Sequence, residues 1–292
     1  SPDLLIIDNK YHFRPSLPFS PGGEVASIVP ALGPGVTNLK VGDRVIASTG
    51  FGGFAEEVLA TAIRCTPFPS NMEFVEASAF MMTYGTSHHA LKDRAQLKAG
   101  ESLLVLGAAG GVGISAVEIG KVLGARVIAA ASSQEKVDFC IERGADAGLV
   151  YPEGPLNKDA QKKLSQDLKK VSGGDGANVI YDGVGGDYAE PALRSIAWEG
   201  RYLVVGFPAG IPSIPLNLAL LKGCQIVGVF WGAFTAREPK RDQANRAELL
   251  KWVKEGTLKP HVSKTYPLAN AAQALKDLAA RKVKGKVVLV TG

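Results

Sequence analysis

Apolar and polar residues are arranged along this chain in two different ways. Up to about residue 70, short β-type runs at 24–29, 44–47 and 54–60 are separated by turns rich in glycine and proline. From residue 76 a helical pattern extends through residue 91, and continuous apolar runs then alternate with helical periodicity. Short continuous apolar runs are typical of strands buried on both faces of a parallel sheet. The pattern therefore predicts a small β-rich domain followed by an α/β domain with a doubly wound parallel sheet.

The α/β domain contains most of the predicted elements. They are strands 103–106, 126–131, 147–151, 177–182, 200–206 and 225–230, and helices 114–123, 158–171, 188–196 and 245–254. The tail is expected to return to the β-rich domain through a strand-like segment at 258–266, a helix at 269–280 and a strand at 286–290. We therefore predict a β-rich domain over 1–76, an α/β domain over 77–255, and a return of 256–292 to the first domain.

The segment 102–133 predicts a dinucleotide-binding unit. A buried strand leads into a glycine-bearing turn, a helix follows, and a second strand ends at Ala131. In the turn, Gly110 would let the backbone approach a pyrophosphate, and Gly113 would let the helix pack closely against the strands. Gly111 and Val112 lie in the same turn and are also expected to contact the cofactor, and the unpaired N–H groups of the helix that follows would receive the phosphates. The alternative is a tight strand-to-helix turn without a ligand.

The end of the second strand indicates which dinucleotide is bound. NAD-binding units usually carry Asp or Glu about 20 residues after the glycines, where it holds the ribose 2′-hydroxyl. Here that position is Ala131, followed by Ser132, Ser133 and then Lys136. Small hydroxyls and a nearby cation leave room for a 2′-phosphate and offer it donors and positive charge. The pattern favours NADPH, although a lone lysine here is more often a solvated residue on the next helix.

Composition narrows the class of protein. The 292 residues are 46% hydrophobic and carry a net charge of +5 from interspersed basic and acidic residues. No apolar run is long enough to cross a membrane, and no basic cluster suggests nucleic-acid binding. The charged segment 237–246 is interpreted as a solvated loop and the start of a helix. Three scattered cysteines argue for a reducing compartment, which we expect to be the cytoplasm, with the mitochondrial matrix left open.

Five motifs extend over almost the whole chain. They are PFSPGGE at 18–24, VGDRV at 41–45, GTSHHAL at 85–91, AGGVG at 109–113 and GKVVL at 285–289. With them the chain resembles the medium-chain dehydrogenase/reductase superfamily, and specifically its zinc-free quinone oxidoreductase branch. The resemblance implies a Rossmann domain combined with a GroES-like, β-rich catalytic domain. It also implies a homodimer, and additional residues ahead of Ser1 that include the family's opening strand.

The same resemblance leads us to expect no metal site. Zinc alcohol dehydrogenases of the superfamily carry a histidine ligand at the position of Gly23, and a second ligand position holds Met82, ahead of the Thr86 helix. Glycine offers no donor atom, and a thioether is a poor zinc ligand. Without a Lewis acid, alcohol oxidation loses its main electrostatic support. Quinones and conjugated enones need less help, because the anion that forms on them is delocalised.

Individual cofactor contacts also follow from the resemblance. Lys136 matches the lysine that pairs with the 2′-phosphate in similar NADPH reductases, and Ser132 and Tyr151 match its companions. Tyr151 could instead be a half-buried aromatic, and the pair Phe230–Trp231 a core pair. Thr86 resembles a residue whose hydroxyl meets the cofactor, although a plain helix cap is compatible with it. The other expected contacts follow strands, at Gly206, Phe207, Phe230, Trp231 and Gly232.

Catalytic residues are the least specified part of the pattern. Hydride transfer needs an accompanying proton, and Tyr11 and Tyr84 are candidates to donate it or to orient a water molecule. Asp3 matches a family position eight residues before Tyr11. We expect Asp3 to hold the geometry of its loop rather than to carry protons. The four histidines lack the i, i+4 metal-binding spacing, and His88 and His89 are interpreted as packing or surface residues.

Together these expectations describe an enzyme, a zinc-independent, NADPH-dependent reductase of quinones or other conjugated carbonyls. An enone or alkenal reductase of the prostaglandin type is the nearest alternative, because only pocket shape separates the two. The alternative from another class of protein is a non-catalytic protein that only binds NADPH. We keep this alternative because the resemblance implies residues ahead of Ser1. The expected partners are a small-molecule substrate and a second copy of the chain, with neither nucleic acid nor a membrane.

Overall fold

The chain divides into two compact units. The computed structural model describes residues 2–11, 13–280 and 283–291. One unit comprises Ser1–Thr83 with Leu250–Gly292 and is called the β-rich unit here; the other, Tyr84–Leu249, is called the α/β unit. Both boundaries fall inside helices, a few residues from the positions 76/77 and 255/256 that the sequence suggests.

Strands and helices alternate regularly through the middle of the chain. The strands are β1 Glu24–Ile28, β2 Arg44–Ser48, β3 Cys65–Pro67, β4 Ser102–Leu106, β5 Arg126–Ala131, β6 Ala147–Val150, β7 Ala177–Asp182, β8 Ile196–Val204, β9 Gln225–Gly228, β10 Val262–Pro267 and β11 Lys286–Val290. The helices are α1 Pro2–Ile7, α2 Phe74–Ala77, α3 Met81–His88, α4 Gly111–Val122, α5 Gln134–Glu142, α6 Lys158–Val171, α7 Ala189–Arg194, α8 Asn217–Lys222, α9 Trp231–Arg237, α10 Pro239–Lys254 and α11 Ala271–Ala279. Among the described residues, no helix combines the length and the apolar character needed to span a bilayer.

Six parallel strands form the sheet of the α/β unit. Their order is β6-β5-β4-β7-β8-β9, and every neighbouring pair is parallel. The chain order reverses between β4 and β7, and open α/β sheets bind ligands outside the carboxyl ends of the strands at such a switch point. The doubly wound parallel sheet that the sequence predicts is therefore confirmed.

Local sequence explains why these elements form where they do. Leu103, Leu104 and Val105 of β4 are completely buried, as the continuous apolar run requires in the centre of a parallel sheet. Helix α6 has the predicted bounds, and the Asn157 side chain accepts a hydrogen bond from the Ala160 N–H at its first turn. Helix α5 begins in the same way after Ser133, whose hydroxyl accepts the Lys136 N–H at 3.3 Å.

Two small sheets build the β-rich unit. Strands β1, β2 and β3 form an antiparallel sheet, and β10 pairs with β11 in parallel. The predicted strand 54–60 is wrong, because the backbone of Phe54 is engaged in a loop. Its N–H donates to the Pro21 carbonyl, and its own carbonyl accepts the Ser20 hydroxyl, both at 2.9 Å. Strand β3, which follows this loop, completes the sheet instead.

The predicted helix 76–91 is interrupted. Helix α2 ends at Ala77 and α3 begins at Met81, and a π-helical turn over His89–Arg94 follows α3. π-Helical turns are rare and often lie at functional sites. The helical pattern in the sequence did not reveal these breaks, because nearly all residues from 79 to 91 are buried and no exposed face marks the end of a segment.

Segment 237–246 is mostly helical. Helix α10 already begins at Pro239. Asp242 and Arg246 are 5% and 8% exposed, and the Arg246 Nε donates to the Asp242 carboxylate at 2.7 Å. A helix therefore begins in this segment as expected, and most of the segment is exposed, but Asp242 and Arg246 are buried and pair with each other.

Candidate cofactor and substrate site

The turn from β4 into α4 is built from glycines that other residues could not replace. A Cβ on Gly113 would lie 2.2 Å from the Gly107 carbonyl oxygen, a distance at which no side chain fits. Gly107 itself has φ of +66°, which favours glycine. Gly110 is the N-cap of α4, and no side chain caps the helix there. The first N–H groups of a twelve-residue helix thus lie at the carboxyl end of β4, an arrangement suited to phosphate groups.

Gly107 was not singled out from the sequence. With Gly110 and Gly113 as the second and third glycines of a G-x-G-x-x-G pattern, the first position is Ala108, so the turn is a variant of the pattern. The structure shows that Gly107, one residue earlier, makes the tight turn, and that Ala108 is fully buried. The sequence feature that could have identified Gly107 is a glycine directly after a buried strand.

No acid stands at Ala131, Ser132 or Ser133, at the carboxyl end of β5, and Glu135 and Lys136 follow in the first turn of α5. Ala131 ends the strand and is buried, and Ser132 and Ser133 follow before α5. The Lys136 ammonium donates to the Ser132 hydroxyl at 3.0 Å. Within the described ranges of the chain Lys136 forms no ion pair, so its charge is available to an anion. This corner of the sheet fits a phosphate better than a ribose diol.

Tyr151 follows the end of β6 and lies in the core. Its side chain is buried, and its ring centroid lies 4.9 Å from that of Tyr188. The ring therefore packs as the alternative interpretation suggested, and its contact with a cofactor stays a prediction.

Asp182 organises the carboxyl ends of β7 and β8, although the sequence did not single it out. Its carboxylate accepts the N–H groups of Val184 and Gly185 at 2.8 and 2.9 Å, and the Tyr202 hydroxyl also donates to it. Burial raises the pKa of Asp182, and these three hydrogen bonds oppose the rise. The sequence feature that could have identified Asp182 is an acid between a buried strand and a glycine-rich segment.

Gly206 and Phe207 follow β8 at the same edge of the sheet. The Gly206 N–H donates to the Asp182 carbonyl at 3.3 Å. Phe207 is 44% exposed, and its ring lies 3.1 Å from the place where Gly185 would carry a Cβ. The structure thus brings the turns after β4, β7 and β8 together, as the strand-end rule predicts.

Helices α3 and α9 bring two other predicted cofactor residues into one region. Thr86 lies in the interior of α3, so its interpretation as a helix cap is wrong. The residue before it, Gly85, packs against the indole of Trp231, the first residue of α9. Phe230 is 54% exposed, and Gly232 is exposed in the first turn of α9. Exposure of Phe230 argues against its interpretation as part of a core pair.

A cluster of three buried hydroxyls lies behind the start of α4. The Ser87 Oγ is 2.9 Å from the Ser115 hydroxyl, the Tyr181 hydroxyl and the Val112 carbonyl oxygen. These contacts join α3, α4 and β7. None of these hydroxyls was predicted from the sequence, because they come together only in the fold.

Tyr84 does not fit the role of proton donor. Its side chain is 3% exposed, and its hydroxyl donates to Glu118 on α4 at 2.5 Å. Arg143 also donates to Glu118, at 2.7 Å. Burial raises the pKa of Tyr84 well above its usual value, and the charge of Glu118 raises it further. We therefore assign Tyr84 to a buried structural network.

In the β-rich unit, Asp3 and Tyr11 form the other predicted group. The Asp3 carboxylate accepts the Gly22 N–H at 3.0 Å, which agrees with a role in loop geometry. Gly22 has φ of +99° and lies against Phe54, so this loop is tightly constrained. Burial raises the pKa of the Tyr11 phenol, and the negative charge of Asp3 adds to the rise.

Comparison with known proteins identifies the family. Residues 1–70 match the family described as the alcohol dehydrogenase GroES-like domain, and residues 111–255 match the family described as zinc-binding dehydrogenase. The quinone oxidoreductase-like protein 2 homolog of Nematostella vectensis is 38% identical over 99% of this chain and 78% of its own length. This chain belongs to the quinone oxidoreductase branch of the medium-chain dehydrogenase/reductase superfamily. It is thus an oxidoreductase with a GroES-like and a Rossmann domain.

Solved structures of the superfamily agree with this assignment. The mycobacterial protein Rv1454c complexed with NADPH has a TM-score of 0.89 and 31% identity, covering 99% of this chain and 87% of its own. Escherichia coli quinone oxidoreductase complexed with NADPH has a TM-score of 0.87 and 27% identity, with the same coverage of 99% and 87%.

The residues at the superfamily's zinc position do not fit a zinc ion. A Cβ on Gly23 would lie 2.9 Å from the Met82 Cε, so the two candidate ligand positions are adjacent. Met82 lies inside α3, not ahead of it, and its N–H donates to the Glu24 carboxylate at 3.0 Å. Glycine, a thioether and one carboxylate are a poor donor set for zinc. In the described part of the chain, no group of three His, Cys, Asp or Glu side chains could hold a metal ion.

His88 and His89 are packing residues in this oxidoreductase. The His88 Nε2 lies 2.6 Å from the Glu248 carboxylate, and burial lowers the His88 pKa although Glu248 opposes this. The His89 Nδ1 lies 2.7 Å from the Asp93 carboxylate, and its ring stacks on Phe234 with centroids 3.9 Å apart.

Proposed function

We propose that this oxidoreductase transfers a hydride from NADPH to a quinone or another conjugated carbonyl, without a zinc ion. The observation that carries the proposal is the end of β5, where Lys136 and Ser132 stand in place of the acid of an NAD site. The NADPH complexes of the mycobacterial and Escherichia coli relatives support the same cofactor here.

The α/β unit has groups that suit each charged part of the cofactor. The N-terminus of α4, capped by Gly110 without a side chain, would receive the pyrophosphate on its N–H groups and helix dipole. Lys136 and Ser132 would bind the 2′-phosphate. Tyr151 would border that site, and Thr86, Gly206–Phe207 and 230–232 would border the nicotinamide end, as the family resemblance implies.

Bound NADPH would supply a hydride, and reduction of a quinone to a hydroquinone then needs one more proton. Tyr11 keeps its proton at neutral pH, because burial and the charge of Asp3 raise its pKa. A phenol with a raised pKa is a weak acid, so it can donate a hydrogen bond to a substrate oxygen or a water molecule more readily than it can release its proton. We assign Tyr11 to this orienting role and Asp3 to holding the loop at Gly22.

Quinone or enone reduction suits a site without a Lewis acid. An alkoxide formed from a simple carbonyl carries a localised charge, which zinc stabilises in related enzymes. The anion formed from a quinone spreads its charge over a conjugated system. Gly23 and Met82, which lie where zinc ligands would be needed, support this choice of substrate class.

The test is NADPH oxidation followed optically, with an ortho-quinone and a 2-alkenal as separate acceptors, NADH as the control cofactor, and EDTA present. We expect turnover of the ortho-quinone with a strong preference for NADPH. Faster turnover of the alkenal would point to an enone reductase, and NADPH binding without turnover of either acceptor to a binding protein. One zinc ion per chain by metal analysis would contradict zinc independence.

We also propose that the enzyme is a homodimer joined at the β9 edge of its six-stranded sheet. Strand β9 forms one edge of the sheet, and β6 forms the other. The edge patch consists of apolar side chains from β8, β9 and the segment between them, with exposures from 37% to 79%: Trp198, Leu216, Leu220, Leu221 and Ile226. An unpaired strand edge beside a contiguous apolar surface favours pairing with another strand. A two-fold symmetric copy would pair its own β9 with this one and cover both patches.

A further inference from the structure

Trp231 occupies a position that only a glycine on α3 permits. A Cβ on Gly85 would lie 2.8 Å from the indole atoms Cε2 and Cζ2 and 3.0 Å from Nε1. Real Cβ atoms do not approach so closely, so any other residue at position 85 would push the indole away. Because Thr86 follows Gly85 directly, this contact also sets the distance between Thr86 and the segment 230–232.

A buried ion pair also lies near the indole. Asp242 and Arg246 lie one turn apart on α10 and are both more than 90% buried, and the Arg246 guanidinium carbon is 5.8 Å from the centroid of the Trp231 ring. Burial raises the pKa of Asp242, and the charge of Arg246 opposes the rise. The carboxylate accepts the Arg246 Nε at 2.7 Å, so it fixes the guanidinium that lies near the indole.

Phe234, one turn later on α9, is held in the same way. The His89 ring stacks on it, and the Arg241 guanidinium lies 5.6 Å from its centroid. His89 and Arg241 both contact the Asp93 carboxylate, at 2.7 and 3.0 Å. Two aromatic rings of one short helix are thus each held by a charged group from α10, and one of them also by the π-helical turn.

Stability alone does not explain a buried ion pair at this place. Exchanging such a pair for apolar side chains of similar volume is often neutral or stabilising, because the charges lose their hydration. A charged pair does more than an apolar contact in one respect, since the hydrogen bond from Arg246 to Asp242 fixes the orientation of the guanidinium that lies near the ring. Asp242 and Arg246 lie against Trp231, within the segment that the family resemblance places beside the nicotinamide.

We propose that Gly85 and the Asp242–Arg246 pair are positioning residues that hold the segment 230–232 in register with Thr86 for hydride transfer. This inference rests on the proposed function, because it assigns that segment to the nicotinamide end of the cofactor. It extends the proposed function to residues that touch neither cofactor nor substrate and act through Trp231. The 2′-phosphate site at Lys136 follows a different strand. Substitution of the positioning residues should therefore lower turnover more than it lowers the affinity for NADPH.

The decisive variant is Asp242→Asn, which keeps the shape of the side chain and removes its charge. We expect kcat with an ortho-quinone to fall roughly tenfold or more, as for a displaced reacting group, while the NADPH dissociation constant changes less than about threefold. Energy transfer from Trp231 to bound NADPH should also change, measured with the other two tryptophans, Trp198 and Trp252, replaced by phenylalanine. If Asp242→Asn does not fold, Arg246→Lys provides the same comparison, since it keeps the charge and loses the planar contact with the indole.

Glu101→Gln is the matched control. Glu101 forms two hydrogen bonds with Arg201 at 2.8 and 2.6 Å in the same unit, and it does not contact Trp231. This variant should lower the melting temperature and leave kcat and energy transfer unchanged. The inference is overturned if Asp242→Asn behaves like Glu101→Gln while the wild-type enzyme turns over NADPH. A wild-type enzyme that neither binds nor oxidises NADPH would overturn the proposed function itself, and this inference with it.

Discussion

At the scale of single residues, Lys136 is the side chain that we propose makes the site prefer NADPH. Its ammonium lies beside Ser132 at the end of a strand that carries no acid. Replacement by an acid would remove a charge-assisted hydrogen bond and place a negative charge beside the 2′-phosphate. NADH, which lacks this phosphate, would lose little.

Lys136→Glu should therefore weaken NADPH binding by about 30- to 100-fold, corresponding to about 2–3 kcal/mol, and NADH binding far less. Fluorescence titration with both cofactors measures the two dissociation constants. Lys162→Glu, at an exposed position on α6, is the matched control and should change neither. Equal losses for NADPH and NADH would remove Lys136 from the 2′-phosphate site.

Asp93 makes stability depend on pH. Burial alone would raise its pKa, but hydrogen bonds from His89, Asn245 and Arg241 lower it to about 2 from an ordinary 3.8. A carboxyl whose pKa is lower in the folded than in the unfolded chain stabilises the fold above the unfolded value, and this contribution is lost as the pH falls towards the folded value.

Asp93→Asn should lower the free energy of unfolding by about 2 kcal/mol at pH 7, and the difference from wild type should shrink below about pH 4. Denaturant unfolding at a series of pH values measures it. Asp138→Asn, at an exposed position on α5, serves as the control. A difference that stays constant down to acid pH would show that the Asp93 charge contributes nothing.

At the scale of elements, the start of α4 depends on the close packing at Gly113. A methyl group there would meet the Gly107 carbonyl oxygen at 2.2 Å and the Ala108 Cα at 2.8 Å. Both neighbours are backbone atoms, which cannot rotate away. The helix would have to move, and its N–H groups would leave the position that suits the phosphates.

Gly113→Ala should lower the free energy of unfolding by about 1–3 kcal/mol and weaken NADPH binding at least tenfold, as for overpacking at a binding site. Thermal unfolding and titration measure the two effects. Gly33→Ala is the control, because a Cβ there meets nothing within 4 Å. Unchanged NADPH affinity in a folded Gly113→Ala variant would separate this turn from the cofactor.

Elements were predictable from the sequence where their signal is local. Helix α6 and strand β7 have the predicted bounds. The residues that set these bounds, namely the helix cap, the apolar run and the flanking glycines, all lie in or next to the segments. The false strand 54–60 has the opposite cause, because distant residues decide its backbone structure: Ser20 and Pro21 hydrogen-bond to Phe54.

At the scale of the whole molecule, the edge patch predicts the oligomeric state. Its exposed apolar side chains lie on and beside β9, an edge strand of the sheet, where a second copy could cover them. Leu220→Asp would place a charge in the centre of the proposed interface, where no partner neutralises it.

We expect the wild-type protein to have the mass of a dimer by light scattering at micromolar concentration, and Leu220→Asp to raise the dimer dissociation constant by about 100-fold or more. Leu59→Asp, at a fully exposed leucine of the β-rich unit, should leave the dimer intact. A monomeric wild-type protein would contradict the proposal.

The sequence by itself determined the fold class and the family. These features depend on periodicity, on glycine and on residue types at set spacings, all of which are local. Only the tertiary structure decided that Tyr84 belongs to a buried network with Glu118, that Asp182 organises two strand ends, and that the buried pair Asp242–Arg246 lies near Trp231. The physical reason is that a side chain's partners, and with them its charge and its chemistry, come from segments far apart in the chain.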